Sequence, residues 1–154
     1  MDSPPDFDVD QWLNSDTPLS LADFRGRTLY VLAFQLLCPG CVQEAIPQAR
    51  KIADYFDPKE VAVVGIHTVF EHHEAQGRRD VLAAFLHENR IRFPVAMDRA
   101  GAGSTPATFR AYGMQGTPTS LIFDRQGRLA MQHFGHADEL ALGSAITRIM
   151  LTKD

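Results

Sequence analysis

Two patterns of apolar and polar positions take turns along this chain. Short, nearly unbroken apolar runs at Thr28–Phe34, Val61–Ile66 and Phe93–Met97 predict strands covered on both faces. Between them, apolar residues recur every three or four positions, as on a helix. The stretch from Pro39 to about Phe56 predicts one such helix, and Arg79–Asn89, with Val81, Leu82, Phe85 and Leu86, predicts another. Pro39 suits a first helical turn, where a missing N–H costs nothing, and Pro47 predicts a bend. Asp57 and Pro58 end that helix.

The second half closes differently. A loop at Gly101–Pro106 precedes a short helix near Ala107–Tyr112. Thr119–Phe123 and Leu129–His133 flank Asp124–Gly127, a hairpin signature with Gly in the connection. Leu142, Ile146, Ile149 and Met150 predict an amphipathic final helix over Leu140–Leu151. At the other end, residues 1–10 are rich in Asp and Pro and predict a disordered arm. Gln11–Asn14 and Leu19–Leu21 flank the turn-like Ser15–Pro18 and predict a small hairpin. Ala22–Gly26 predicts a short helical turn ended by Gly. Alternation first and a hairpin last imply an α/β fold: a central mixed sheet with helices on both faces.

Composition narrows the function classes. A chain of 154 residues suits one domain with a substantial core. A net charge of −4, with no basic run, argues against nucleic acid as a partner. No apolar run is long enough to cross a membrane. Met1–Asp10 lacks the cationic start and apolar segment of a signal peptide. If Met1 is the native start, a reducing cytoplasm is the expected location, and thiols there rest reduced.

That matters because the chain has two cysteines, Cys38 and Cys41, in the order Cys38-Pro39-Gly40-Cys41. They cannot form a disulfide framework and supply half of a four-thiolate zinc site. Two thiols one turn apart at a strand-to-helix junction can form a disulfide together or exchange one with a partner. Cys38 is the expected nucleophile. Its thiolate would be stabilised by the helix N-terminus, by backbone N–H groups and by the Cys41 thiol. Pro39 offers no N–H, while Gly40 lets a partner backbone come close. Cys41 is expected to be more buried and to resolve the mixed disulfide.

Other polar residues invite chemistry. Glu44 follows Cys41 by three positions, on the same helical face. If buried, it could take the Cys41 proton during resolution; if exposed, it is an ordinary helical glutamate. His67, Glu71, His72, His73 and Glu74 could in principle hold zinc, but a polar loop after a strand is the favoured interpretation and no metal is assigned. His67 could also point at the thiols and tune Cys38. Phe34, Leu36 and Leu37 suggest strand core or an apolar rim around the site.

The strand–Cys38-Pro39-Gly40-Cys41–helix unit, together with Gly116-Thr117-Pro118-Thr119 before the hairpin, resembles the thioredoxin fold. The leading hairpin, the Leu19–Gly26 segment and the helix at Arg79–Asn89 narrow the resemblance. They are similar to the redoxin branch represented by TlpA/ResA-like thiol-disulfide oxidoreductases, which overlaps in pattern with peroxiredoxins. The resemblance spans roughly Trp12–Leu151.

The resemblance implies that residues 11–154 form a thioredoxin-like (redoxin) domain acting as a thiol-disulfide oxidoreductase. Its redox centre would be the Cys38–Cys41 disulfide, with no separate cofactor, and Glu44 matches a Glu at the same offset in these proteins. Pro118 would be the cis-proline facing the thiols. Thr117, Pro118, Pro39 and Gly40 would bind substrate, with Thr117 pairing its backbone to an extended strand. The implied partners are a disulfide-bearing protein or small thiol and a separate electron donor or acceptor. Three positions differ from thioredoxins: Leu37 replaces a Trp, Leu32 replaces a buried Asp, and Pro47 lies six residues past the second cysteine rather than five. Two alternatives stand beside this assignment. One is a thiol peroxidase, although peroxiredoxins carry Thr where Gln35 stands. The other is a non-catalytic redoxin module binding a partner or metal.

Overall fold

The computed structural model describes residues 1–101, 103 and 105–152. Six strands form one sheet: β1 (Val9–Leu13), β2 (Thr28–Phe34), β3 (Val61–His67), β4 (Val95–Asp98), β5 (Thr119–Phe123) and β6 (Leu129–Phe134). Across the sheet the order is β1-β4-β3-β2-β5-β6. β2, β3 and β4 run parallel, while β1, β5 and β6 pair antiparallel with their neighbours. This is the expected mixed α/β sheet.

β2 is buried along its whole length, which explains its unbroken apolar run. Successive side chains point to opposite faces. Tyr30, Leu32 and Phe34 face a core shared with α1 (Ile46–Tyr55), α3 (Arg79–Glu88) and α5 (Glu139–Leu151). Leu29, Val31 and Ala33 face a second core with Phe24, Tyr112 and Phe123. That second core is closed by a 3₁₀ turn at Leu21–Phe24 and by α4 (Ala107–Ala111). A short helix, α2 (His73–Gln76), precedes α3. Among the described residues, no helix is long and apolar enough to cross a membrane. Of the loop predicted at 101–106, Ala102 and Ser104 lie outside the described residues, as do residues 153 and 154.

The N-terminal region departs from expectation in two ways. First, the predicted hairpin is absent. Gln11–Leu13 belong to β1, which pairs with β4 through Trp12↔Ala96 and Leu13↔Val95. Leu21 begins a 3₁₀ turn instead of a strand. Second, residues 1–10 are laid along the domain rather than disordered. The Tyr112 hydroxyl donates to the Pro5 carbonyl, and the Leu21 N–H donates to the Asp6 carboxylate at 2.9 Å. Arg99 bridges Asp8 at 2.7 Å and Asp10 at 2.8 Å. The acidic residues that suggested a solvated tail have a cation and backbone donors to meet.

Candidate active site

Strand direction brings three loops together. β5 runs antiparallel to β2 with Thr119 opposite Ala33, so the residues entering β5 meet those leaving β2. β3 runs parallel with His67 opposite Phe34, so the residues leaving β3 arrive at the same end. Gln35–Cys41, Thr68–Gln76 and Gly116–Pro118 therefore converge at the carboxyl edge of β2 and β3. In α/β sheets, ligand sites gather at this edge.

Both cysteines are free thiols. Cys38 is half-buried and Cys41 is fully buried. The Cys41 thiol donates to Cys38 Sγ at 2.6 Å, and the Cys41 backbone N–H donates to the same sulfur at 3.3 Å. The Cys38 thiol donates to the Thr117 carbonyl at 3.5 Å. The Thr117–Pro118 peptide is cis. A Cβ on Gly40 would sit 3.7 Å from the Pro118 ring, so these residues face one another. Burial, followed by its bond to Cys38, pushes the Cys41 thiol up to about 12. The Gln35 backbone and the Thr117 side chain act on it in the opposite direction. The two sulfurs are thus unequal: one reachable, the other deep and firmly protonated at rest.

The helix carrying them begins with a wide turn. Cys41–Ala45 form a single π-helical turn, and α1 starts regularly at Ile46 with Pro47 in its first turn. A π turn takes up one extra residue. The helix is continuous over residues 39–55, so the sixth-position proline is accommodated by the widened turn that directly precedes it.

The wide turn also moves Glu44. With i→i+5 bonding, Ala45 and Ile46 take the inward face and are buried, while Glu44 turns outward. Its side chain is 52% exposed and its carboxylate lies 3.4 Å from His136 Nδ1. The desolvation that a proton-accepting role at Cys41 required is missing.

The histidine block separates. His67 is buried, tilted against Phe34 with ring centroids 5.4 Å apart. Its Nε2 accepts the Leu36 N–H at 3.4 Å, and burial pulls its pKa down to about 4. His67 therefore touches the backbone before Cys38 as a neutral acceptor. Glu71, His72, His73 and Glu74 are exposed. Among the described residues, no group of three or more His, Cys, Asp or Glu side chains could hold a metal ion. Phe34 is core, Leu36 is half-buried, and Leu37 is 52% exposed beside the thiols. Leu32, in place of the thioredoxin Asp, is buried in the core, and no carboxylate stands there.

Two residues escaped sequence reasoning in their role here. Gln35 and Gln76 are both buried and hydrogen-bonded to each other at 3.1 Å under the thiol loop. A glutamine in a polar loop carries no sequence signal of burial.

Comparison with known proteins places this geometry. The Redoxin family model matches residues 2–144. The chain belongs to the Redoxin family. A solved thioredoxin-like superfamily protein, SPOA0173, is 49% identical over 97% of this chain and 96% of its own, with a TM-score of 0.94. A thiol-disulfide isomerase from Corynebacterium glutamicum is 38% identical over 99% of this chain and 100% of its own, with a TM-score of 0.92. A putative thiol:disulfide interchange protein DsbE from Chlorobium tepidum is 27% identical, covers 96% and 99%, and has a TM-score of 0.71. No curated protein matches the sequence. Within the family, the chain groups with the thioredoxin-like thiol-disulfide oxidoreductases.

Proposed function

We propose that this protein exchanges a dithiol for a disulfide with a protein or small-thiol partner, Cys38 attacking and Cys41 resolving. The observation that carries this is the unequal sulfur pair: a half-buried Cys38 in contact with a buried, protonated Cys41. In the first step the Cys38 thiolate bonds to one partner sulfur, and the other partner sulfur leaves with the electron pair of the broken S–S bond. In the second, the Cys41 thiolate attacks Cys38 Sγ. A Cys38–Cys41 bond forms and the second partner sulfur leaves. The two protons of the dithiol end on the two partner thiols, and a separate donor must then reduce the pair.

The groove beside Cys38 supports an extended partner. Thr117 precedes β5, and Gly40, which has no side chain, faces the Pro118 ring beside it. Pro39 is exposed at the same rim. In a reducing cytoplasm the pair rests as a dithiol and the net reaction is reduction. A reduction potential near about −270 mV would fit that direction, and one near about −120 mV would fit an oxidant. The peroxidase alternative gains no support, because the buried Gln35 amide fills the place where peroxiredoxins carry a hydroxyl. The test is insulin reduction driven by dithiothreitol. Wild-type protein is expected to accelerate it and Cys38→Ser to abolish the acceleration; equal rates for the two would overturn the proposal.

A further inference from the structure

Resolution needs a Cys41 thiolate in a buried site, and Glu44 points away from it. The hydrogen-bond directions beneath the thiols show what else is available. Backbone N–H groups can only donate, so each one fixes the amide it meets. Phe70 N–H donates at 3.2 Å to Gln35 Oε1, and Leu37 N–H donates at 2.9 Å to Gln76 Oε1. Both amides are thereby oriented. Gln76 Nε2 donates to Gln35 Oε1 at 3.1 Å and to the Glu71 carbonyl at 2.8 Å. Gln35 Nε2 is left to donate to Thr117 Oγ1 at 3.2 Å.

The Thr117 oxygen therefore accepts from Gln35, and its one proton must point elsewhere. Cys38 sits against the carbonyl of the same residue, and Cys41 sits against Cys38. We infer that Gln35 and Gln76 are positioning residues for disulfide exchange, turning the Thr117 hydroxyl proton toward the sulfur pair to steady the Cys41 thiolate as it attacks. The Thr117 side chain already acts to lower the Cys41 pKa against the larger effect of burial. The pair also ties the three converging loops together, since Gln76 holds Leu37 and Glu71 while Gln35 holds Phe70 and Thr117. In the resolving step the Cys41 proton leaves to solvent, the hydroxyl donates a hydrogen bond without transferring its proton, and the partner thiolate takes up a proton after release.

This inference rests on the proposed function, so the experiment separates the two steps. The mixed disulfide of Cys38 with thionitrobenzoate is formed, and release of thionitrobenzoate by Cys41 is followed by absorbance across pH in wild type, Thr117→Val, Thr117→Ser and Gln35→Leu. Formation of that adduct in Cys41→Ser is measured alongside, as the check on the function itself. Thr117→Val and Gln35→Leu are expected to slow release about tenfold at neutral pH and to move its pH midpoint upward. Thr117→Ser is expected to restore both. An unchanged release profile in Thr117→Val overturns the inference. So does slow release in Gln35→Leu with the midpoint unmoved, which would mark a purely structural role. Failure of Cys41→Ser to form the adduct overturns the proposed function instead. If Gln35→Leu does not fold, Gln76→Leu, scored the same way, decides.

Discussion

The Cys38 thiol donates to the carbonyl oxygen of Thr117, 3.5 Å away. The sulfur is thus held beside Thr117, whose backbone an extended partner would meet on the proposed function. Cys41 lies on the far side, fully buried. On the proposed function, a partner disulfide meets Cys38, because Cys41 is buried.

That inequality makes a trapping experiment one-sided. Cys41→Ser is expected to accumulate a mixed disulfide with the partner through Cys38, visible by mass spectrometry as an adduct lost on reduction. Cys38→Ser is expected to trap nothing, because the remaining thiol is buried and firmly protonated. Equal trapping by both variants would mean that the roles are not divided in this way.

Glu44 has its own expected outcome. Its carboxylate is half exposed and faces His136 across 3.4 Å. A surface pair of this kind contributes little. Glu44→Gln is expected to change the exchange rate less than about twofold and to leave its pH profile in place. A tenfold loss with a shifted profile would return Glu44 to the role of proton partner.

Residues 1–8 are expected to contribute to stability. Phe7 packs edge-on against Trp12 with ring centroids 5.8 Å apart, and the Asp8 N–H donates to Thr108 Oγ1 at 3.1 Å. Removing these residues also frees Arg99 from Asp8 and strips Tyr112 of its acceptor at Pro5. The lost packing and hydrogen bonds together cost about 2 kcal/mol. Urea unfolding of the truncated and full chains measures the difference, and equal midpoints would show the segment to be a passive tail.

How much of this was legible in the sequence follows from burial. β2 and β3 are covered on both faces, so they appear as unbroken apolar runs with sharp limits. The cysteines announce their chemistry by spacing, and the Thr117–Pro118 step was found through the family pattern. β1 was mispaired because a turn signal at Ser15–Pro18 is local, whereas its partner β4 lies far along the chain. The sequence left Glu44 either buried or exposed, because a 3.6-residue period assumes a regular helix and the π turn breaks that period at Cys41. Gln35 and Gln76 were missed as a pair because polar residues bury only when partners exist, and partners are a tertiary fact.

His67 supplies a pH dependence that can be isolated. The folded protein holds it neutral, with burial lowering its pKa from 6.5 to about 4. In the unfolded chain it takes a proton near about 6.5. Between those values the unfolded state binds more protons, so stability is present above about 6.5 and is lost as pH falls toward 4. The full loss is about 3 kcal/mol, of which about 2 kcal/mol is reached by about pH 5. His67→Gln keeps an acceptor for the Leu36 N–H but cannot be protonated. Unfolding free energies for both proteins at neutral pH and near about pH 5 are compared, and carboxylates common to both cancel in the difference. Wild type is expected to lose about 2 kcal/mol more than the variant over that interval. Parallel losses would show that His67 accepts its proton without leaving the fold, and that its neutrality does not support the backbone before Cys38.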